Sequence, residues 1–94
     1  MRVYISGPMT GIPEYNRAAF EEAYWRLAMD GRQPVNPWSL GEVKGWTHFN
    51  YMRRDIVALA ACDAIYMLPR WWRSRGARKE WLVAHFVFGM RRIR

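Results

Sequence analysis

Ala64-Ile65-Tyr66-Met67-Leu68, set between Asp63 and Pro69, is a continuous apolar run of strand length. A strand apolar at every position is covered on both faces, the condition of a parallel sheet flanked by helices. Val3-Tyr4-Ile5, closed by Ser6-Gly7-Pro8, has the same character and opens the chain with a second core strand. Between the two, Phe20, Ala23, Tyr24, Leu27 and Ala28 recur at helical spacing from Asn16 to Asp30, with Gly31 as a C-terminal stop. Gln33-Pro34-Val35-Asn36 reads as a brief strand running into Pro37. Thr47 is an N-cap for a helix reaching Ala61, with Met52, Ile56, Leu59 and Ala60 as its apolar stripe.

After the Pro69–Arg73 loop, a third helix from about Arg75 to Phe88 carries Ala77, Trp81, Ala84 and Phe88 on one face and ends at Gly89. Met90 to Arg94 reads as one last short strand, whose charges suggest an edge or a frayed tail. Alternating strands and helices of this length predict an α/β fold, an open parallel sheet of about four to five strands with flanking helices. Ligands of such sheets bind at the carboxyl ends of the strands, where the Ser6–Pro13 and Pro69–Ser74 loops emerge. The stretch from Trp38 to Trp46, with Gly41 and Gly45 and no period, predicts a loop over that end.

The chain's 94 residues suit one domain, 1–94, around a single core. Its six Trp and six Met exceed the needs of so small an interior, so an interface is expected to absorb some of them. The formal charge of +7, mostly in the second half, favours a phosphate-bearing partner, either a nucleic acid or a nucleotide, without choosing between them; a plain solvated surface is the alternative. The lone Cys62 excludes an internal disulfide, and no Cys/His spacing suggests a metal. No stretch approaches the roughly 20 apolar residues of a membrane span or the pattern of a signal peptide. The expectation is a cytoplasmic protein without metal or cofactor and without a membrane partner.

Ser74-Arg75-Gly76-Ala77-Arg78-Lys79-Glu80 places a hydroxyl and free N–H groups at a helix start, a geometry that binds anions. Ser74 is equally an ordinary N-cap with Arg75, Arg78 and Lys79 as a solvated face. Glu80, about two turns into the helix, can sit below a phosphate held there, or can pair with a surface cation. Asp55, on the preceding helix, is its better partner than Asp63, which lies at the far end of the central strand. Two carboxylates in one pocket divide the roles of nucleophile and acid; Arg53 or Arg54 could instead pair with Asp55. His48 and His85 read as structural or surface residues. Gly7-Pro8-Met9-Thr10-Gly11 matches neither a dinucleotide fingerprint nor a P-loop.

Tyr4 to Gly11, Arg54-Asp55-Ile56, Cys62-Asp63-Ala64 and Ser74 to Glu80, in that order, resemble the compact, phage-type (DUF4406-like) branch of the nucleoside 2-deoxyribosyltransferase-like superfamily. The resemblance spans nearly the whole chain. It implies a flavodoxin-like or Rossmann-like sheet, Glu80 as the nucleophile, Asp55 as the residue that orients the sugar or protonates the leaving base, and Tyr4 as a donor to the nucleophile. Ser6, Gly7 and Met9 of the first loop, and Ser74, Arg75, Gly76 and Ala77, are the implied substrate contacts. The residue six before the nucleophile is acidic in the transferases and a serine in the deoxynucleoside 5′-monophosphate hydrolases; here it is Ser74. The implied activity is therefore hydrolysis of the N-glycosidic bond of (deoxy)nucleoside 5′-monophosphates by a homodimer or higher homo-oligomer. Nucleoside 2-deoxyribosyl transfer and a non-catalytic nucleotide- or nucleic-acid-binding module are the alternatives. Thr10 stands where the hydrolases carry a basic residue, leaving Arg17 as the substitute. Family members complete a neighbour's pocket with a C-terminal tail, which a chain ending at Arg94 is not expected to supply.

Overall fold

In the computed structural model, which describes residues 1–93, four parallel strands alternate with three helices: β1 Arg2–Ser6, α1 Arg17–Met29, β2 Gln33–Val35, α2 His48–Ala60, β3 Ala64–Met67, α3 Arg75–Leu82 and β4 Arg91–Ile93. Arg94, the end of the expected last strand, lies outside the described residues. The strand order is β2-β1-β3-β4, with Tyr4 beside Val35 and Ile65, and Ile65 beside Arg92. This is the doubly wound, Rossmann-like arrangement that the alternating pattern predicts. Its order reverses between β1 and β3, so the loops following these two strands diverge and leave a crevice at their carboxyl ends.

Strand alternation sorts the core onto two faces. Val3 and Ile5 of β1 join Ala64, Leu68 and Ile93 under Phe20, Ala23 and Leu27 of α1. Tyr4 faces the other way and packs with Ile65, Met67, Leu59 of α2, and Ala77 and Ala84 of the chain's last helical segment. Gly31, at φ +78°, ends α1 in a left-handed conformation. Thr47 opens α2 as read from the sequence: its hydroxyl accepts from Asn50 N–H and the Asn50 side chain accepts from Thr47 N–H.

Three packing expectations change. Tyr24 of α1 is exposed, leaving Phe20, Ala23 and Leu27 to fill the core. Ala60 faces solvent, and Ala58 packs in its place against the second cluster. Phe88 is exposed because the third helix does not stay regular: Val83–Val87 form a π-helical turn in which Phe88 N–H donates to Val83 C=O at 3.1 Å. The extra residue in that turn carries Phe88 off the buried stripe. Met90 N–H then donates to Ala84 C=O at 2.8 Å and starts β4.

Where β1 and β3 part, Leu68 N–H donates to Ser6 C=O at 2.8 Å and Leu68 lies directly over Gly7. A Cβ on Gly7 would come within 2.6 Å of Leu68 Cβ. That atom is tied to the backbone and cannot swing aside. Gly7→Ala is expected to lower stability by about 1–3 kcal/mol, the usual cost of overpacking. Urea denaturation checks it; an unchanged midpoint would show that the loop yields freely.

Candidate active site

Period-two alternation places Tyr4 and Ser6 on the same face of β1, and both are fully buried. Above them, α3 turns Ala77 and Glu80 inward, and the π-turn that follows does the same for Ala84. Glu80 is thereby delivered to the two hydroxyls: Tyr4 Oη donates to Oε2 and Ser6 Oγ to Oε1, each at 2.6 Å. Bonds this short are typical of a hydroxyl donating to an ionised carboxylate. Tyr4 can only donate here, since burial first and the neighbouring Glu80 second raise its phenol well above the ordinary value.

Burial also pushes Glu80 up to about 7, against the opposing pull of the Ser6 and Tyr4 hydrogen bonds, while the charge of Asp55 adds to the rise. Asp55 is raised by burial to about 6, with Arg54 pulling it back. The charge of Asp55 thus reaches Glu80, as the smallest of the influences on it. The hydroxyls bonded to both Glu80 oxygens favour its ionised form and oppose the burial that raises it.

Asp55 Oδ1 is buried and bonds to no described residue. Arg54 Nε lies 3.8 Å from it, and likewise has no hydrogen-bond partner among the described residues. The guanidinium is engaged elsewhere. Arg54 Nη1 donates to the carbonyls of Leu40 (3.1 Å) and Gly41 (2.9 Å), and the group lies over the Trp46 and Tyr51 rings. Tyr51 Oη donates to Val43 C=O and accepts from Val43 N–H. The glycine-bearing loop is thus fastened to α2 beside the acid pair. Trp46 serves that packing, while Trp38 covers the α1 side and donates from Nε1 to Glu14 C=O.

Ser74 caps α3, its Oγ accepting from Ala77 N–H at 3.1 Å. This corrects two expectations. Ala77 N–H is spent on the cap and cannot hold substrate, so the N–H groups of Arg75 and Gly76 are the ones left by the helix geometry. Ser74 keeps its hydroxyl proton for a further acceptor. Gly76 sits against Met52 of α2, whose Cε would lie 3.4 Å from an added Cβ. Ser6, read as a substrate contact, instead positions Glu80. The signal was present: Tyr4 and Ser6 are alternate residues of one strand, the two polar side chains on a face otherwise destined for burial.

Gly7 shapes the mouth of the site by its contact with Leu68, whereas the Met9 side chain packs on the α1 cluster and is not brought to Glu80. Arg17 pairs with Glu21 at 2.9 Å on the surface of α1 and lies over Trp38. Asp63 lies at the opposite strand end, accepting from Arg2 N–H at 2.9 Å. His85 stacks on Trp81. Two hollows, of about 320 and 160 Å³, lie beside Trp46 and Arg53 and beside Arg26 and Tyr66; Glu80 lines neither.

A family profile described as "Domain of unknown function (DUF4406)" matches residues 1–90. No curated protein sequence matches the chain. Among solved structures, a 2-deoxyribosyltransferase from the psychrotolerant bacterium Bacillus psychrosaccharolyticus is similar, with a TM-score of 0.73 at 16% identity, over 98% of this chain and 69% of the other. At that identity the likeness is one of fold.

The elevated Glu80 pKa has a consequence for stability. Between about pH 4.5 and 7 the folded protein holds a proton on Glu80 that the unfolded chain releases, so the stabilisation is complete below this window and lost on rising through it. The shift corresponds to about 3 kcal/mol. The Tm gap between wild type and Glu80→Gln should therefore move in favour of the variant by on the order of 10 °C from pH 4.5 to 8. A gap constant with pH, followed by circular dichroism, would contradict the buried ionisation.

Arg54→Met should free the fastened loop. Trypsin cleavage after Lys44 is expected to quicken by about tenfold or more, with far-UV circular dichroism unchanged. Cleavage at the wild-type rate would mean that Tyr51 alone secures the loop.

Proposed function

We propose, since the chain belongs to the DUF4406 family and has the fold of a 2-deoxyribosyltransferase, that it hydrolyses the N-glycosidic bond of (deoxy)nucleoside 5′-monophosphates with Glu80 as nucleophile. The observation that carries this reading is the buried carboxylate gripped by Tyr4 and Ser6 hydroxyls, with a second acid close enough to perturb it. A glutamate spent on a surface ion pair would have neither the burial nor the two donors.

Glu80 attacks the anomeric carbon and the bond to the base breaks, its electron pair leaving with the base. Asp55 supplies the proton that the base takes. The sugar is then an ester of Glu80. Asp55, now ionised, accepts a proton from a water whose oxygen attacks the same carbon, giving sugar 5-phosphate and restoring both carboxyls. Tyr4 and Ser6 keep the carboxylate oriented and stabilise it each time it is released. Ser74 Oγ–H, the N–H groups of Arg75 and Gly76, and the Arg75 side chain are suited to hold the 5′-phosphate at the start of α3. A neutral Ser74 favours a charged phosphate there.

The same reading makes the protein a phage-type cytoplasmic homodimer, in which a second copy covers exposed Phe49 and Val57 of α2 and Leu82 of α3. Base exchange is the second reading, favoured by the fold likeness to a 2-deoxyribosyltransferase. It differs only in the final acceptor, a second base in place of water.

A panel of deoxynucleoside 5′-monophosphates should yield free base and deoxyribose 5-phosphate. Glu80→Ala should abolish turnover, and Asp55→Asn should lower it by about 10²–10⁴-fold. Removing the 5′-phosphate should reduce kcat/KM at least about tenfold. The singly protonated acid pair is the active form, so kcat/KM should peak between about pH 6 and 7. Undiminished hydrolysis by Glu80→Ala removes Glu80 from the chemistry; a new nucleotide formed with an added base assigns transfer.

A further inference from the structure

Charge is divided unevenly along this chain. Residues 1–63 hold seven Lys and Arg and seven Asp and Glu, whereas residues 64–94 hold eight cations and a single acid, Glu80. Glu80 is 6% exposed and turned inward, so it does nothing to neutralise that surface. The fold preserves the division. Among the described residues every ion pair uses a cation at or before Arg54, and no cation from Arg70 to Arg92 takes part in one.

Those described lie on the turn before α3, on α3 and on β4. Arg75, Arg78 and Lys79 share the surface of α3, at spacings of three and four. Arg70 and Arg73 bracket two indoles in the turn just before it, and Arg70 holds a left-handed conformation at φ +64°. Trp72 in that turn is 56% exposed. Ring contacts run from it to the sheet edge: Trp72 to Trp71 at 6.4 Å, Trp71 to Trp81 at 6.0 Å, and Arg92 of β4 over both Trp71 and Trp81 at 5.7 and 5.9 Å. Arg92 Nε is buried without a hydrogen-bond partner among the described residues. The indoles lie against the guanidinium without giving Nε a hydrogen bond.

Cations without carboxylate partners repel each other, and a polyanion relieves that cost. Exposed indole among the arginines narrows the choice. Repeating phosphates alternating with flat aromatic rings match both components, and only a single strand presents its bases unstacked to a protein surface. An acidic peptide supplies carboxylates without a ring for Trp72. We infer that the α3–β4 face binds single-stranded nucleic acid, with phosphates on Arg70, Arg78, Lys79 and Arg92 and a base stacked on Trp72. This surface adjoins the start of α3 but does not rest on the chemistry of Glu80.

Fluorescence anisotropy with labelled oligothymidylate and oligouridylate of about 15 nucleotides tests it, with four phosphates neutralised giving a slope of log K against log salt of about −3. Trp72→Ala should weaken binding about tenfold, a usual loss for one stacked base, with melting temperature unchanged. The triple variant Arg70→Glu, Arg78→Glu, Lys79→Glu should lose binding at moderate salt, and Glu80→Gln should bind as wild type does. Comparing the two oligonucleotides assigns DNA or RNA. The inference is overturned by absence of binding at low salt, by equal affinity for heparin or duplex with no effect of Trp72→Ala, or by binding confined to vesicles of anionic lipid. None of these results bears on nucleotide hydrolysis, and an inactive protein that binds the oligonucleotides leaves the inference standing.

Discussion

The Glu80 carboxylate held by the hydroxyls of Tyr4 and Ser6 joins the helix near the chain's end to its first strand across 76 and 74 residues. The contact requires three things to agree. Strand alternation must bring both hydroxyls to one face, α3 must be phased so that Glu80 follows Ala77 inward, and β1 must lie centrally under that helix. A sheet ordered β2-β1-β3-β4 meets the last condition by placing β1 at the reversal of strand order. Burial then makes the carboxylate's charge costly, and two short hydrogen bonds return part of that cost. A reactive group stored in this way lowers stability at neutral pH, a trade that active sites commonly make.

Around this contact the second-face helices take different tasks. The α2 helix brings Asp55 to the acid pair and, one residue earlier, uses Arg54 to fasten the loop from Leu40 to Trp46. The start of α3 is capped by Ser74 and crossed by Met52 at Gly76, so its position relative to α2 is fixed by packing at a glycine. Loop, acid and helix start are therefore mechanically linked through adjacent residues of one helix.

Much of this was legible in the sequence where the signal is local. The apolar runs of β1 and β3, the spacing of Phe20, Ala23 and Leu27, and the cap at Thr47 each depend on neighbours a few residues away. The convergence of Tyr4 and Glu80 was accessible through resemblance, since no periodicity relates residues so far apart. What local signals missed was how hydrogen-bond capacity is spent. Ser6 and Ala77 N–H were assigned to substrate, yet each is satisfied within the protein. Met9, a substrate contact by resemblance alone, is drawn away by packing on the α1 cluster, and Arg17 is engaged with Glu21 on the helix surface. The regular stripe expected through Phe88 failed because nothing in composition marks where a helix will admit an additional residue.

That additional residue has a bearing on how the chain tolerates length changes. In β4, Arg92 lies toward the indoles and Ile93 enters the opposite core, and strand side chains alternate with a period of two. Between Val83 and Val87 the π-turn takes up one residue more than an ordinary helical turn within about the same rotation, so the surplus is absorbed before the strand begins. Deleting a single residue there would restore a regular turn and leave Arg92 and Ile93 on their present faces. The same deletion between Phe88 and Met90 would find no such slack and would exchange the faces of β4. Tolerance to length change therefore ends where the helix does.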